Sequence, residues 1–151
     1  GLGLNPTDLF EVVERWIDMF DCVAPTRQAR HGLLYVFDKK NKHKLNITKA
    51  IYKNDKKPID PNCACTVCIG QNPPQPPFTK GGTNVKIPPF SKGGQGGFYT
   101  RAYLHHLFNT QELTGLRLAT IHNVHFFLNL MREMREAIKQ DKFLQMKKKW
   151  C

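Results

Sequence analysis

Three closely spaced cysteines are the strongest chemical signal in the sequence. The stretch "CACTVC" sets Cys63, Cys65 and Cys68 in a Cys-x-Cys-x-x-Cys pattern. At this spacing three thiolates can reach one tetrahedral metal ion if a fourth ligand comes from elsewhere. Three sulfurs and one imidazole would fill the shell of Zn²⁺ and leave no position for water, so the pattern predicts a structural zinc site. The alternative is three core cysteines that are close by coincidence.

Spacing alone does not identify the fourth ligand. Four histidines follow the cysteines, two in each of the next two predicted helices: His105, His106, His122 and His125. Any of them could supply the missing nitrogen, so all four remain candidates at this point. The two remaining cysteines, Cys22 and Cys151, are predicted to be ordinary free thiols.

A second candidate group is the carboxylate of Asp21 in "MFDCVAPTRQAR". Asp21 stands at the end of a predicted strand and before a loop, where barrel enzymes place catalytic groups. A carboxylate there can equally cap the backbone or pair with Arg27 or Arg30. On spacing alone, this structural role is the better interpretation.

The elements around Asp21 follow from the pattern of apolar residues. Asn5 as N-cap, Pro6 at the first helical position and an apolar stripe ending at Trp16 predict a short helix. The next run, "IDMFDCV" at 17–23, is short, apolar and stopped by Pro25, which predicts one buried strand. A helix followed by a strand is typical of an α/β fold.

The middle of the chain divides into a basic hairpin and an insert. Two strand-like runs flank the polar tip 39–42, and eight lysines lie between Lys39 and Lys57. Residues 72–97 hold six prolines and six glycines, with "PPFTKGG" repeated as "PPFSKGG". This composition predicts a flexible, dispensable insert, and we expect its deletion to preserve the metal site.

Two helices are predicted after the insert. The first is "YTRAYLHHLFNTQEL", and the second carries apolar residues mostly at three- and four-residue steps: Leu118, Ile121, Val124, Leu128, Met131 and Ile138.

Composition narrows the class of protein. The 151 residues suit one domain, and 23 Lys+Arg against 12 Asp+Glu give a net charge of +11. This balance favours a polyanionic partner, nucleic acid first, although a basic solvated surface is the simpler alternative. The sequence has no apolar run long enough to span a membrane and no secretory signal pattern, which predicts a cytoplasmic protein.

Four motifs carry a resemblance to a known family. In this order, "DMFDCVAPTRQARHG", "PIDPNCACTVC", "RAYLHHLF" and "LRLATIHN" closely resemble the C-terminal part of bacterial tRNA-guanine transglycosylase, a pentosyltransferase also called queuine tRNA-ribosyltransferase. The resemblance covers nearly the whole chain apart from the insert. It implies the C-terminal part of a (β/α)8 TIM barrel with a zinc-binding subdomain.

The resemblance also implies an activity and its substrates. The family exchanges guanine at the wobble position of tRNAs with a G-U-N anticodon for the queuine precursor preQ1, in queuosine biosynthesis. A covalent Asp-ribosyl intermediate is expected, as is a homodimer for the full-length enzyme. The family's guanine pocket is built largely from strands N-terminal to this segment, so the isolated chain is expected to be inactive.

Residue roles follow from the matched motifs. Asp21 corresponds to the nucleophile that attacks ribose C1′, and Arg27 and Arg30 correspond to the arginines that hold the uridines flanking the target base. His122 of "TIHN" corresponds to the fourth zinc ligand beside the three cysteines.

Four segments are expected from these assignments. Residues 1–38 would hold the last barrel helix and strand with the nucleophile and tRNA-binding loop, 39–71 the basic hairpin and zinc thiolates, 72–97 the insert, and 98–151 the helical zinc subdomain with the C-terminal helix. The alternative function is an inactive truncated or split-gene fragment that acts at most as a non-catalytic, zinc-bearing RNA-binding module.

Overall fold

A computed structural model describes residues 5–69 and 98–151, and the predicted insert 72–97 lies outside these ranges. The described residues form a mixed α/β arrangement of helices around a small sheet. Its elements are α1 (Pro6–Val13), α2 (Ala24–Arg30), β1 (Leu33–Tyr35), β2 (Lys44–Asn46), α3 (Thr66–Ile69), α4 (Arg101–Asn109), α5 (Leu113–Lys139) and α6 (Phe143–Trp150), with short 3₁₀ turns at Lys39–Asn41 and Ala50–Tyr52.

Helix α1 begins where the sequence predicts, but it ends early. Asn5 occupies the N-cap position, yet its side chain makes no capping hydrogen bond to the backbone. The side-chain Oδ1 of Asn5 accepts instead from Lys44 Nζ at 2.6 Å. Past Val13 the chain reverses through Trp16, whose φ of 66° is left-handed. Trp16 is therefore not part of the buried stripe, and 91% of its surface is exposed.

The strand predicted at 17–23 is wrong. These residues are irregular, and Met19 is 87% exposed. A strand needs neighbours that pair with its backbone N–H and C=O groups. Within the described residues the sheet has two strands, β1 and β2, and neither pairs with 17–23. Apolar composition alone could not supply that partner.

The predicted basic hairpin is confirmed. Strands β1 and β2 are antiparallel, with Leu34 opposite Leu45 at the centre. Asp38 organises the tip, because its carboxylate accepts from the backbone N–H of Lys40 at 3.0 Å. Lys42 and His43 complete the reversal at φ values of 51° and 59°.

Both predicted C-terminal helices form, but the buried face of α5 differs from the apolar stripe in the sequence. Ile121, Leu128 and Ile138 of that stripe are exposed. The buried positions are shifted by about one residue and include polar ones: Gly115, Leu118, Ala119, His122, Asn123, Phe126, Phe127, Leu130 and Met134. The shift occurs because His122 and Asn123 make buried hydrogen bonds to the rest of the fold.

Two hydrophobic clusters flank the hairpin. Leu34 belongs to a cluster with α4 and the start of α5, whereas Tyr35 belongs to a second one with α1, the later part of α5 and α6. Successive residues of a strand point to opposite faces, so β1 contributes to both clusters. Ion pairs from Lys147 to Glu11 and Glu14, at 2.7 and 2.6 Å, attach α6 to α1.

Among the helices described, we find none whose length and apolar content would let it cross a membrane. The C-terminal part of a (β/α)8 barrel, which the resemblance implies, stays a prediction, because the described strands form only the antiparallel pair.

Candidate metal centre and the Asp21 segment

The three cysteines converge on His122. The sulfur atoms of Cys63, Cys65 and Cys68 lie 3.7, 3.5 and 3.4 Å from His122 Nδ1. All four atoms lie within 4.8 Å of one another. In a tetrahedral zinc site, bond lengths near 2.3 Å to sulfur and 2.0 Å to nitrogen place sulfur and nitrogen about 3.5 Å apart. The residues therefore fit a structural Zn²⁺.

The orientation of His122 is set on the other side of its ring. Nε2 lies 2.7 Å from the Tyr35 carbonyl oxygen, and the side chain is fully buried. With Nε2–H donating to this carbonyl, Nδ1 is the nitrogen that faces the three sulfurs and that would bind a metal. A backbone carbonyl commonly accepts this hydrogen bond from a zinc-binding histidine.

Proximity also changes the protonation of the ligands. Hydrogen bonds from Cys63 and Cys68 lower the pKa of Cys65 well below that of an ordinary thiol. Hydrogen bonds within the same group raise the pKa of Cys68. Burial disfavours the charged imidazole of His122, but Cys63 and Cys65 outweigh it and raise its pKa to about 9. Without a metal, the cluster therefore favours a thiolate at Cys65 beside a protonated His122, and a bound cation would take the place of that proton.

Asp60 anchors the loop that carries the thiolates. Its Oδ2 accepts from the Phe37 N–H at 2.7 Å, and its Oδ1 accepts from the Asn62 N–H at 2.9 Å. The buried carboxylate therefore joins the loop that carries the cysteines to the chain just after β1. The other candidate histidines do not enter the cluster. His105 Nδ1 lies 2.8 Å from the Ile47 carbonyl, and His106 is exposed.

Asp21 lies on the surface just before α2. Over residues 5–69 and 98–151 its carboxylate makes no ion pair or hydrogen bond, so pairing with Arg27 or Arg30 is not observed. Both arginines are exposed and stand three residues apart on α2, which puts them on one face of the helix. All three charged groups are accessible to a ligand.

Asn123 connects this segment to the metal centre. Its Oδ1 accepts from the Tyr35 N–H at 3.0 Å, while its Nδ2 donates to the carbonyls of Pro25 and Leu33 at 3.0 and 2.9 Å. The neighbouring His122 bonds the carbonyl of Tyr35. Asn123 and His122 of α5 therefore bond the backbone N–H and the backbone carbonyl of Tyr35 in β1. Asn123 also bonds the Pro25 carbonyl at the start of α2.

Comparison with known proteins gives a clear family. The family described as "Queuine tRNA-ribosyltransferase" matches residues 1–151. The chain belongs to the queuine tRNA-ribosyltransferase family. Its similarity to individual members of that family is 39% identity over 150 residues to the protein of that name from Roseiflexus sp. (strain RS-1), and 42% and 45% over 143 residues to those from Herminiimonas arsenicoxydans and Acidovorax sp. (strain JS42).

These alignments cover most of this chain and a minority of each relative. They span 99%, 95% and 95% of the chain, against 30%, 29% and 32% of the respective relatives. The chain thus corresponds to about a third of a queuine tRNA-ribosyltransferase.

Asn123 is the functional residue that sequence reasoning missed. It follows His122 in the "TIHN" motif, which the family resemblance used only for its histidine. An asparagine in the buried face of a helix is itself a signal, because a buried amide requires hydrogen-bond partners. Its partners could not be predicted, since they lie 88 to 98 residues away in the chain.

We expect Asn123→Ala to destabilise the fold by about 2–5 kcal/mol, because it leaves buried backbone groups without partners. Urea unfolding measures the loss. Asn129→Ala is the matched control, since the Asn129 amide donates to Glu133 on the same helix at an exposed site. Equal stability of the two variants would contradict the role assigned to Asn123.

Proposed function

We propose that this protein acts in tRNA-guanine transglycosylation, exchanging guanine at the wobble position of tRNAs with a G-U-N anticodon for preQ1. The observation that carries the proposal is the family match over residues 1–151. The accessible Asp21, Arg27 and Arg30 support it, because they are free to meet a substrate.

Asp21 is the proposed nucleophile. One carboxylate oxygen forms a bond to ribose C1′ while the C1′–N9 bond breaks, and guanine leaves with the bonding electrons and takes up a proton. The incoming base then gives up a proton, attacks C1′ and displaces the carboxylate. A nearby carboxylate also stabilises the positive charge that develops at C1′. The covalent stage keeps the tRNA attached while the bases exchange.

Arg27 and Arg30 are the proposed contacts to the uridines beside the target base. A guanidinium can bond base edges or phosphates, and base-edge contacts are the ones that specify sequence.

The zinc is proposed to be structural: Cys63, Cys65, Cys68 and His122 would hold it, and it would cross-link the loop to α5. The family resemblance also implies a homodimer and a cytoplasmic site of action.

The second candidate is a zinc-bearing RNA-binding module without chemistry. The net charge of +11 and the exposed arginines favour it, since they suit RNA binding whether or not a reaction follows.

One assay separates the two functions. For this assay the chain is joined to the N-terminal part of a relative, and the joined form is called the full-length protein. It is incubated with labelled guanine and either a tRNA carrying a G-U-N anticodon or the same tRNA in which the wobble guanosine is replaced. Label should enter only the first tRNA. Binding of the tRNA without incorporation would favour the RNA-binding module.

A further inference from the structure

The tip of the hairpin and the end of α6 meet in the fold. His43 Nε2 lies 3.1 Å from the Trp150 carbonyl oxygen, and the two rings are 4.8 Å apart. Phe37 packs edge-on against Trp150, also at 4.8 Å, and Lys149 Nζ lies 5.2 Å from the centre of the Phe37 ring. Two stretches separated by about a hundred residues therefore form one surface.

This junction brings together two groups of lysines that are distant in sequence. We call these lysines the basic ridge: Lys39, Lys40, Lys42, Lys148 and Lys149. All five are exposed. Burial raises the pKa of the Cys151 thiol, and Lys147 and Lys39 oppose that rise. The hairpin tip thus lies within electrostatic reach of the end of α6.

The lysines of the basic ridge have no ion-pair partners in the described part of the protein. No ammonium group of the ridge forms an ion pair within residues 5–69 and 98–151. Asp38 is the acidic residue of the tip, but its oxygens accept from Lys40 N–H and the Asn41 amide. Lys147 differs from its neighbours, because Glu11 and Glu14 pair with it.

We propose that the basic ridge binds the phosphate backbone of RNA, as a contact surface additional to Arg27 and Arg30. Ammonium groups without an ion-pair partner act as point charges towards phosphates and give affinity without reading sequence. The choice of RNA rests on the proposed function, whereas the ridge itself rests on the junction between the hairpin and α6.

Replacement of ridge lysines by glutamine tests the proposal. The ridge variant combines Lys39→Gln, Lys40→Gln and Lys148→Gln, and it spares Lys149 because that side chain packs on Phe37. The control variant combines Lys49→Gln, Lys53→Gln and Lys56→Gln. These three lysines are also exposed, so the two variants lose the same charge.

The measurement is RNA affinity of the full chain as a function of salt, with a G-U-N tRNA and with an unrelated RNA duplex. Each lost phosphate contact lowers the slope of log K against log[salt] by about 0.7–0.9, so the ridge variant should lose about 2–3 units with both RNAs. The control should lose much less. Equal losses in both variants would show diffuse attraction by net charge and overturn the ridge.

Two further outcomes also count against the ridge. Unchanged RNA binding by the ridge variant would show that the basic ridge does not contact RNA. Base exchange by the full-length protein would then still support the proposed function. Ridge-dependent sedimentation with phosphatidylserine vesicles, combined with unchanged RNA binding, would replace RNA by a membrane surface. Conversely, a protein that fails the exchange assay but shows the ridge-dependent slope would retain the ridge and lose the proposed reaction.

Discussion

Asp21→Asn should abolish base exchange in the full-length protein, with a loss of at least about 10³-fold in rate. Asparagine preserves the size of the side chain and removes the anionic oxygen that would attack C1′. Because Asp21 is exposed and makes no ion pair with the described residues, the substitution should leave the fold intact. The decisive measurement is the covalent adduct with tRNA, detected by denaturing electrophoresis.

The matched control is Asp18→Asn, an exposed carboxylate three residues earlier on the same segment. This variant should form the adduct and exchange bases at nearly the normal rate. An undiminished adduct in the Asp21 variant, or an equal loss in both variants, would show that Asp21 is not the nucleophile.

Loss of His122 or Cys65 should remove the metal and with it the fold around α3. Zinc binding to a structural site of this kind is worth roughly 10–16 kcal/mol at neutral pH, and much of it stabilises the folded state. His122→Ala and Cys65→Ser each delete one of four ligands, and the first also removes the hydrogen bond to the Tyr35 carbonyl. Elemental analysis should find near-stoichiometric zinc in the unsubstituted protein and little in either variant.

His106→Ala and Cys22→Ser are the controls, since neither residue belongs to the cluster. Both should retain zinc. Protons compete with zinc for its ligands, so apparent zinc affinity should fall as the pH is lowered. The pKa of His122 is about 9 without the metal, so zinc must displace a proton from the ring near neutral pH. Unchanged metal content in the His122 and Cys65 variants would refute the assigned ligand set.

The sequence was most informative where local pattern and structure coincide. The hairpin, the two helices after the insert and the thiolate spacing all depend on neighbouring residues, and the structure contains each of them. The family resemblance selected His122 from four histidines, a choice that spacing could not make. The structure places that residue with the cysteines.

The failures arose where the answer depends on distant partners. Residues 17–23 have strand composition, but no described strand pairs with them. Trp16 continues the helical spacing, yet α1 ends at Val13 and Trp16 itself has a left-handed backbone conformation. The buried face of α5 is set by His122 and Asn123, whose hydrogen-bond partner Tyr35 lies on β1.

Helix α5 has a consequence for how the molecule comes apart. Its 27 residues extend for about 40 Å and contribute side chains to both hydrophobic clusters, as does the three-residue strand β1. Loosening one cluster therefore removes packing from a helix and a strand that the other cluster also uses. We therefore expect the metal centre and the aromatic contacts of α6 to unfold together, and damage at either end to lower the melting temperature of both.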